Sequence, residues 1–198
     1  MKAITIALAL VAANAAPALS LRATIGGTSA GLTITLFRWS TEAERTPVMS
    51  ALSAPVPAPA PAAAPGRGRG GRGGAPAAPL SPAARLSASI KAAPTLGYIW
   101  SDGVTGYSIK YAWHSSGAGA ADRVVLITER RLAVRVAEPL AAGVEAEGDF
   151  TVIEMRLDAT GKGEGKTSLT ASVGVDPATK TVALDGYAAA PALLRITR

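Results

Sequence analysis

The chain has 198 residues, about the size of one domain. Its formal net charge is +6, but three of the arginines (Arg67, Arg69 and Arg72) lie in one glycine-rich tract, so the charge indicates no large basic face and no nucleic-acid partner. Cysteine is absent and His114 is the single histidine, which excludes disulfides and the usual donors of a transition-metal site; we predict no metal and no cofactor.

The N-terminus has the features of a secretory signal peptide over residues 1–15. Lys2 supplies the positive charge, and residues 3–13 form an apolar run too short to span a bilayer. Residues 13–15 (Ala-Asn-Ala) have the form of a cleavage site, and residues 18–20 are a second candidate. A buried N-terminal helix or strand is the alternative. We therefore expect a secreted or periplasmic protein with no transmembrane segment.

Two strands and a helix are predicted after the leader. Residues 19–25 and 32–39 read as strands, because LTITLFRW alternates with a period of two and is rich in β-branched residues. Thr41 and Glu44 fit a capping box that begins a helix. Pro47 predicts either a kink or a new helix start, with the end near Leu52 in both cases.

Residues 54–80 form a low-complexity tract that divides the domain into residues 16–53 and 81–198. Its first half favours polyproline II, and its Gly/Arg-rich second half has too little apolar surface to fold. Although it resembles an RNA-binding RGG segment, it has no aromatic residue to stack on a base, so we interpret it as a disordered insertion. Ser81-Pro82 then begins a second helix.

Residues 96–114, LGYIWSDGVTGYSIKYAWH, read as a β-hairpin around Asp102-Gly103, the dipeptide that a type I′ turn prefers. A two-residue loop opposes Ser101 with Val104 and Tyr98 with Tyr107. Most of the Trp and Tyr residues then share one strand face, which is the wall of either the core or a ligand cavity. The candidate ligand-binding residues are Tyr98, Trp100, Tyr107, Tyr111 and Trp113.

Further strands complete the prediction of a mainly β domain that borders on α+β. About ten short strands at close spacing, with two short helices, favour an antiparallel sandwich or barrel. The strands predicted after the hairpin are residues 123–128, 132–137, 150–157, 167–175, 181–184 and 193–197.

The segments RWSTEAER, LGYIW followed by GYSIKYA, RVVLITERRL, TVIEMRLDATGKGEGK and VALDGYAAAPALLRI resemble a group of uncharacterised secreted bacterial proteins. The resemblance covers Ser20 to Arg198 apart from the low-complexity tract. It implies that the segments before and after the tract belong to one domain. It implies no activity and transfers no functional residue.

One motif suggests a serine hydrolase. Residues 27–31 (Gly-Thr-Ser-Ala-Gly) match the nucleophile elbow, and Asp102 and His114 follow Ser29 in the order such hydrolases use. The elbow requires a helix after the serine, whereas the following LTITLF predicts a strand. We interpret the motif as a glycine-rich hairpin loop, and no residue is predicted to be catalytic.

Two other patterns receive structural interpretations. Residues 163–167 resemble the end of a phosphate-binding loop, but Thr160 stands where that loop needs glycine, and a strand is expected to follow. We predict a turn over residues 161–165. Glu154 and Arg156 share one strand face and predict a solvated ion pair rather than a carboxylate with its orienting cation.

These observations predict an exported, non-enzymatic envelope or extracellular protein. Its aromatic face would bind an apolar or carbohydrate ligand, and its partner would be a small ligand or an envelope component. The alternative is a structural or protein-interaction module with the aromatic face buried as core; a serine hydrolase is the third hypothesis.

Overall fold

The computed structural model describes residues 16–26, 31–54, 80–101, 104–116, 121–133 and 149–197. The predicted signal peptide, the predicted tract apart from its two ends, the Asp102-Gly103 turn and most of the strand predicted over 132–137 lie outside these residues. No helix in the described part is both long and apolar enough to cross a bilayer.

The described residues form ten strands and two helices, which confirms the prediction of a mainly antiparallel β domain. Eight strands close into a barrel in the order β1-β10-β7-β6-β5-β4-β3-β2, while β8 and β9 form a separate hairpin. The strands are β1 (Leu19–Ile25), β2 (Gly31–Leu36), β3 (Gly97–Ser101), β4 (Val104–Ser115), β5 (Asp122–Thr128), β6 (Thr151–Leu157), β7 (Gly163–Thr167), β8 (Val173–Asp176), β9 (Thr181–Leu184) and β10 (Leu194–Thr197). The helices are α1 (Glu42–Ser53) and α2 (Pro82–Ala92).

Inward-facing side chains fill the barrel. The alternation in β1 and β2 directs Leu21, Ile34 and Leu36 inward, and Ile34 lies between Leu21 and Ile99 on the neighbouring strands. An eight-stranded barrel has an interior just wide enough for side chains to occupy. The same buried cluster includes Ile109, Leu126, Ile153, Met155 and Ile196, so the barrel interior is a hydrophobic core.

A second apolar layer covers one outer side of the barrel. The helices and the β8–β9 hairpin pack against the outer faces of β4, β5 and β6, which we call the covered side. Strand β5 is therefore buried on both faces, which explains why residues 124–127 (VVLI) are continuously apolar rather than alternating. The Tyr111 hydroxyl and the Thr181 hydroxyl lie 2.8 Å apart and join β4 to β9 within this layer.

The helices begin as the sequence predicts. Thr41 accepts from the Glu44 N–H while Glu44 accepts from the Thr41 N–H, and Ser81 caps α2. The new helix start predicted at Pro47 is wrong, because α1 continues from Glu42 to Ser53 with Pro47 inside it, and it ends next to the predicted Leu52. The buried residues Val48 and Ala51 hold the second half of α1 in the covered side, where packing outweighs the missing proline N–H.

One arginine joins the two residues that flank the segment 55–79. The Arg85 guanidinium donates to the carbonyl of Ala54 at 2.7 Å and to that of Leu80 at 2.9 Å. It also donates to the Ala51 carbonyl at 3.1 Å. Arg85 therefore fixes the end of α1 beside the beginning of α2.

The prediction of one strand over residues 167–175, preceded by a turn over 161–165, is wrong. Strand β7 already begins at Gly163, because that glycine lets the backbone approach Arg156 of β6, where a Cβ would collide with the carbonyl oxygen. The chain turns after Thr167, whose carbonyl accepts from the Thr170 N–H at 3.1 Å. The segment that resembles a phosphate-binding loop is therefore a barrel strand and not a loop before a helix.

We predict that Ile34→Ala lowers the free energy of unfolding by about 2–5 kcal/mol, because it leaves a cavity in a filled core. Thr33→Ala is the matched control on the same strand, where the side chain is exposed, and should cost less than about 1 kcal/mol. Chemical denaturation of both variants measures the difference. Equal stability of the two variants would contradict a barrel interior that is filled by side chains.

Acidification should remove part of the stability that the α1 cap provides. The Arg38 guanidinium donates to Glu44 at 2.7 and 2.8 Å, and with the Thr41 N–H it lowers the pKa of Glu44 from 4.5 to about 2. Since the folded state favours the ionised carboxyl, this contribution is complete above about pH 4.5 and is lost as the pH falls towards 2.

The stability difference between the wild type and Glu44→Gln should therefore be about 1 kcal/mol at pH 6 and shrink towards pH 2. Urea denaturation at several pH values measures it, and titrations elsewhere in the chain cancel in the comparison. A difference that stays constant with pH would contradict the assignment.

Candidate functional site

The five predicted ligand-binding aromatics do not share one face, so that expectation is wrong. Ser101 opposes Val104 as predicted, but Tyr98 pairs with Ser108, and Tyr107 pairs with Ile99. The register of the hairpin shifts between Ile99 and Ser101, which is enough to separate the aromatics that the hairpin model opposed.

A second register shift divides the aromatics within β4 itself. It lies between Ile109 and Tyr111 in the pairing of β4 with β5. As a result Ile109 and Ala112 both face the barrel interior, three positions apart, whereas Tyr111 lies in the outer apolar layer. A strand that changes register this way exchanges which side chains face inward, so alternation alone assigns Tyr111 and Trp113 to the wrong set.

Three of the five aromatics belong to packed layers. Tyr107 lies inside the barrel, and its hydroxyl accepts from the Ala133 N–H at 3.1 Å. Tyr111 is fully buried on the covered side. Trp113 packs beside it, with the guanidinium groups of Arg45 and Arg123 at 5.9 and 5.7 Å from its ring centroid. The alternative reading, aromatics as core, therefore applies to these three.

The remaining two aromatics lie on the other outer side of the barrel, together with Phe37. We call Phe37, Tyr98 and Trp100 the aromatic row. The Tyr98 ring centroid lies 6.0 Å from that of Phe37 and 5.6 Å from that of Trp100. Phe37 is 56% exposed and Trp100 is 48% exposed, so this row presents apolar ring surface to solvent.

The strands hold the aromatic row in place. The Trp100 ring lies over Gly106 of β4, where an added Cβ would come within 2.7 Å of a ring carbon. Glycine at this position therefore permits the ring to lie against the sheet. Phe37 was not among the predicted site residues, although the alternation of LTITLF already places it outward with Thr33 and Thr35.

Hydroxyl groups lie beside the aromatic row on the neighbouring strands. Thr33 of β2 is opposite Trp100, and Thr35 is opposite Tyr98. The open side, by which we mean the outward faces of β10, β1, β2 and β3, also carries exposed hydroxyls at Ser20 and Thr197. Side chains at these positions can donate and accept hydrogen bonds on the β2 side of the rings.

The covered side holds a different cluster, built on a buried carboxylate. Glu154 is 1% exposed and accepts from the Arg123 guanidinium at 2.8 and 3.2 Å. It also accepts from the Leu184 N–H of β9 at 3.0 Å, while Arg123 donates to Asp176 of β8 at 2.7 Å. The predicted solvated pair of Glu154 with Arg156 is therefore wrong: Arg156 is at 3.7 Å, and the main partner is Arg123 across the strands.

A cleft of about 540 Å³ lies beside this cluster. Tyr187 at its wall packs between the Arg156 guanidinium at 4.1 Å and the Lys166 ammonium at 4.5 Å, and burial raises the pKa of Tyr187 to about 12. Lys166 is only 5% exposed and donates to the Tyr187 carbonyl at 2.6 Å. The Glu154 and Arg123 contacts with β8 and β9, together with the Lys166–Tyr187 hydrogen bond, anchor the β8–β9 hairpin and the following turn to the barrel.

The structure after the G-x-S-x-G motif is not the one that a serine hydrolase requires. Ser29 lies outside them, but β2 begins at Gly31, so a strand follows the motif where a nucleophile elbow requires a helix. His114 is exposed near the end of β4, and its ring lies 4.3 Å from that of Trp39. Within the described ranges, no group of three His, Cys, Asp or Glu residues could hold a metal ion.

No protein-family model, no curated protein and no solved structure matches this chain. The resemblance to secreted bacterial proteins therefore stays a prediction. The roles of the residues follow from geometry: the aromatic row presents ring surface to solvent at Phe37 and Trp100, whereas the covered-side carboxylate Glu154 is paired with Arg123.

We predict that Glu154→Gln lowers the free energy of unfolding by about 3 kcal/mol, because it leaves the Arg123 guanidinium without its buried counter-charge. Glu164→Gln on β7 is the control, since that side chain is exposed and should cost less than about 0.5 kcal/mol. Thermal and urea unfolding measure both variants. A stabilised Glu154→Gln variant would instead assign the cluster to function, because functional sites commonly sacrifice stability.

Proposed function

We propose that this is an exported, non-enzymatic envelope or extracellular protein that binds carbohydrate on the aromatic row. The observation that carries the proposal is a row of three neighbouring rings on a sheet face that is otherwise rich in hydroxyls. Phe37 and Trp100 are exposed, and Tyr98 between them is half-buried. Exposed apolar patches of this kind, bordered by polar groups, are typical of binding sites.

The chemistry of the face matches that of a sugar. A pyranose ring has C–H groups on its faces, which stack on aromatic rings, and hydroxyls on its rim, which hydrogen-bond to polar side chains. The aromatic row provides the first kind of surface, and Thr33 and Thr35, opposite two of its rings, provide the second. Binding sites commonly combine aromatic walls with a few placed polar groups in this way.

An apolar ligand receives less support than a sugar. The barrel interior, where such a ligand would be enclosed, contains packed side chains such as Ile34, Ile99 and Ile153.

The alternative, a structural or protein-interaction module with the aromatic face buried as core, fits Tyr107, Tyr111 and Trp113. It does not account for Phe37 and Trp100, whose rings are exposed. We therefore assign the aromatic row to carbohydrate and give no catalytic role to any residue.

We predict that Trp100→Ala weakens binding to a soluble polysaccharide at least about tenfold, because an exposed aromatic anchor typically supplies much of the binding energy. Its melting temperature should remain close to that of the wild type, since Trp100 is 48% exposed. Affinity electrophoresis and isothermal titration calorimetry against a panel of neutral and acidic polysaccharides measure binding.

Leu80→Ala is the matched control, because Leu80 is 58% exposed at the start of the second helical segment and lies outside the aromatic row. It should bind like the wild type. If no polysaccharide in the panel retards the wild type, or if both variants bind equally well, carbohydrate binding on the aromatic row is wrong.

A further inference from the structure

The open side carries positive charge that the fold does not use. Arg22 on β1 and Arg195 on β10 both point outward and are exposed. Neither side chain makes a hydrogen bond or ion pair with any described residue. By contrast, Arg38, Arg85 and Arg123 all donate to protein oxygens within hydrogen-bond distance.

The sequence leaves this side without acidic residues. Strands β10, β1, β2 and β3 contain no Asp or Glu, so the charge of Arg22 is not balanced by its neighbours. On β7, Glu164 is opposite Arg195, and its carboxylate lies 3.7 Å from the Lys166 ammonium. The open side is therefore a cationic, hydroxyl-rich surface around exposed aromatic rings.

The register aligns one of these arginines with the aromatic row. Arg22 is opposite Thr33, and Thr33 is opposite Trp100, so the three form one line across β1, β2 and β3. With strands about 4.8 Å apart, the backbone of Arg22 lies about 10 Å from the backbone of Trp100. On the other flank Arg130 donates to the carbonyl of Gly106, the residue beneath the Trp100 ring.

We propose that the carbohydrate bound here is an acidic polysaccharide that carries carboxylates, such as a uronate polymer. The inference rests on the proposed function and names the charge of its ligand. A chain lying across the strands would stack a sugar on Trp100 and direct carboxylates towards Arg22 on one flank and Arg130 on the other. Arginine suits this role because its planar guanidinium binds a carboxylate with two parallel hydrogen bonds.

The test compares two forms of one polymer, oligogalacturonate and its fully methyl-esterified form of the same length. Isothermal titration calorimetry with the full chain at low salt should give at least about tenfold tighter binding of the acid than of the ester. Because the arginine contacts are exposed, this preference should decrease steeply when salt is added.

Arg22→Gln should lower the affinity for the acid about tenfold and leave the affinity for the ester unchanged. Lys91→Gln on α2 removes the same charge from the covered side, where Lys91 pairs with the exposed Asp149, and should bind both forms like the wild type. Equal weakening by Arg22→Gln and Lys91→Gln would mean that net charge alone attracts the polymer, and would overturn the proposal.

Three further outcomes separate this proposal from the carbohydrate function on which it rests. If the wild type binds acid and ester equally, and Trp100→Ala weakens both, the carbohydrate function stands and the preference for acid is wrong. If the wild type binds neither the oligogalacturonate nor any neutral polysaccharide, both proposals are wrong. If acid binding survives Trp100→Ala unchanged, the aromatic row is not part of the site and both proposals are again wrong.

Discussion

The ladder between β1 and β10 is the constraint on which the rest of the fold depends. It pairs Arg22 with Thr197 and Ile25 with Leu194, and the Gly26 N–H extends it to the Leu193 carbonyl at 2.7 Å. Because this ladder closes the sheet, no barrel strand is left with an unpaired edge. It also joins the first described strand to the last, so the segments on both sides of residues 55–79 form one barrel.

Closure creates two outer surfaces with different physical character. On the covered side, β5 is apolar on both faces and has to be shielded from water by α1, α2 and the β8–β9 hairpin. On the open side, β1 and β2 alternate strictly, with apolar residues inward and Thr, Ser or Arg outward. The aromatic row is the exception, because its apolar rings face outward, and it is the surface to which we assign the proposed function.

Local features of the fold follow from the sequence because their causes are local. The capping box at Thr41 and Glu44, the Ser81-Pro82 helix start and the period-two pattern of β2 each depend on a few consecutive residues, and each is present. The mainly antiparallel β class follows from the number and spacing of such segments.

The errors arise where a distant strand decides the outcome. One register shift lies beside Ile99 in the pairing of β3 with β4, and the other lies beside Ile109 in the pairing of β4 with β5. Neither shift can be predicted from the turn dipeptide and the alternation of side chains. Strand β7 contains two glycines and resembles a turn until Gly163 is seen against the backbone of β6. Likewise, the buried partner of Glu154 is Arg123 on a neighbouring strand rather than Arg156 two positions away.

The Arg85 contacts have a consequence for what the chain can accept between residues 54 and 80. One guanidinium binds the carbonyls of Ala54 and Leu80, so the two residues that flank the segment 55–79 lie close together. Adding residues to a closed loop raises its entropic cost only slowly, by about 0.6 kcal/mol for each doubling of length. The barrel therefore constrains where this segment begins and ends but not how long it is. We therefore expect a folded domain inserted between residues 54 and 80 to leave the strand pairing of the barrel intact.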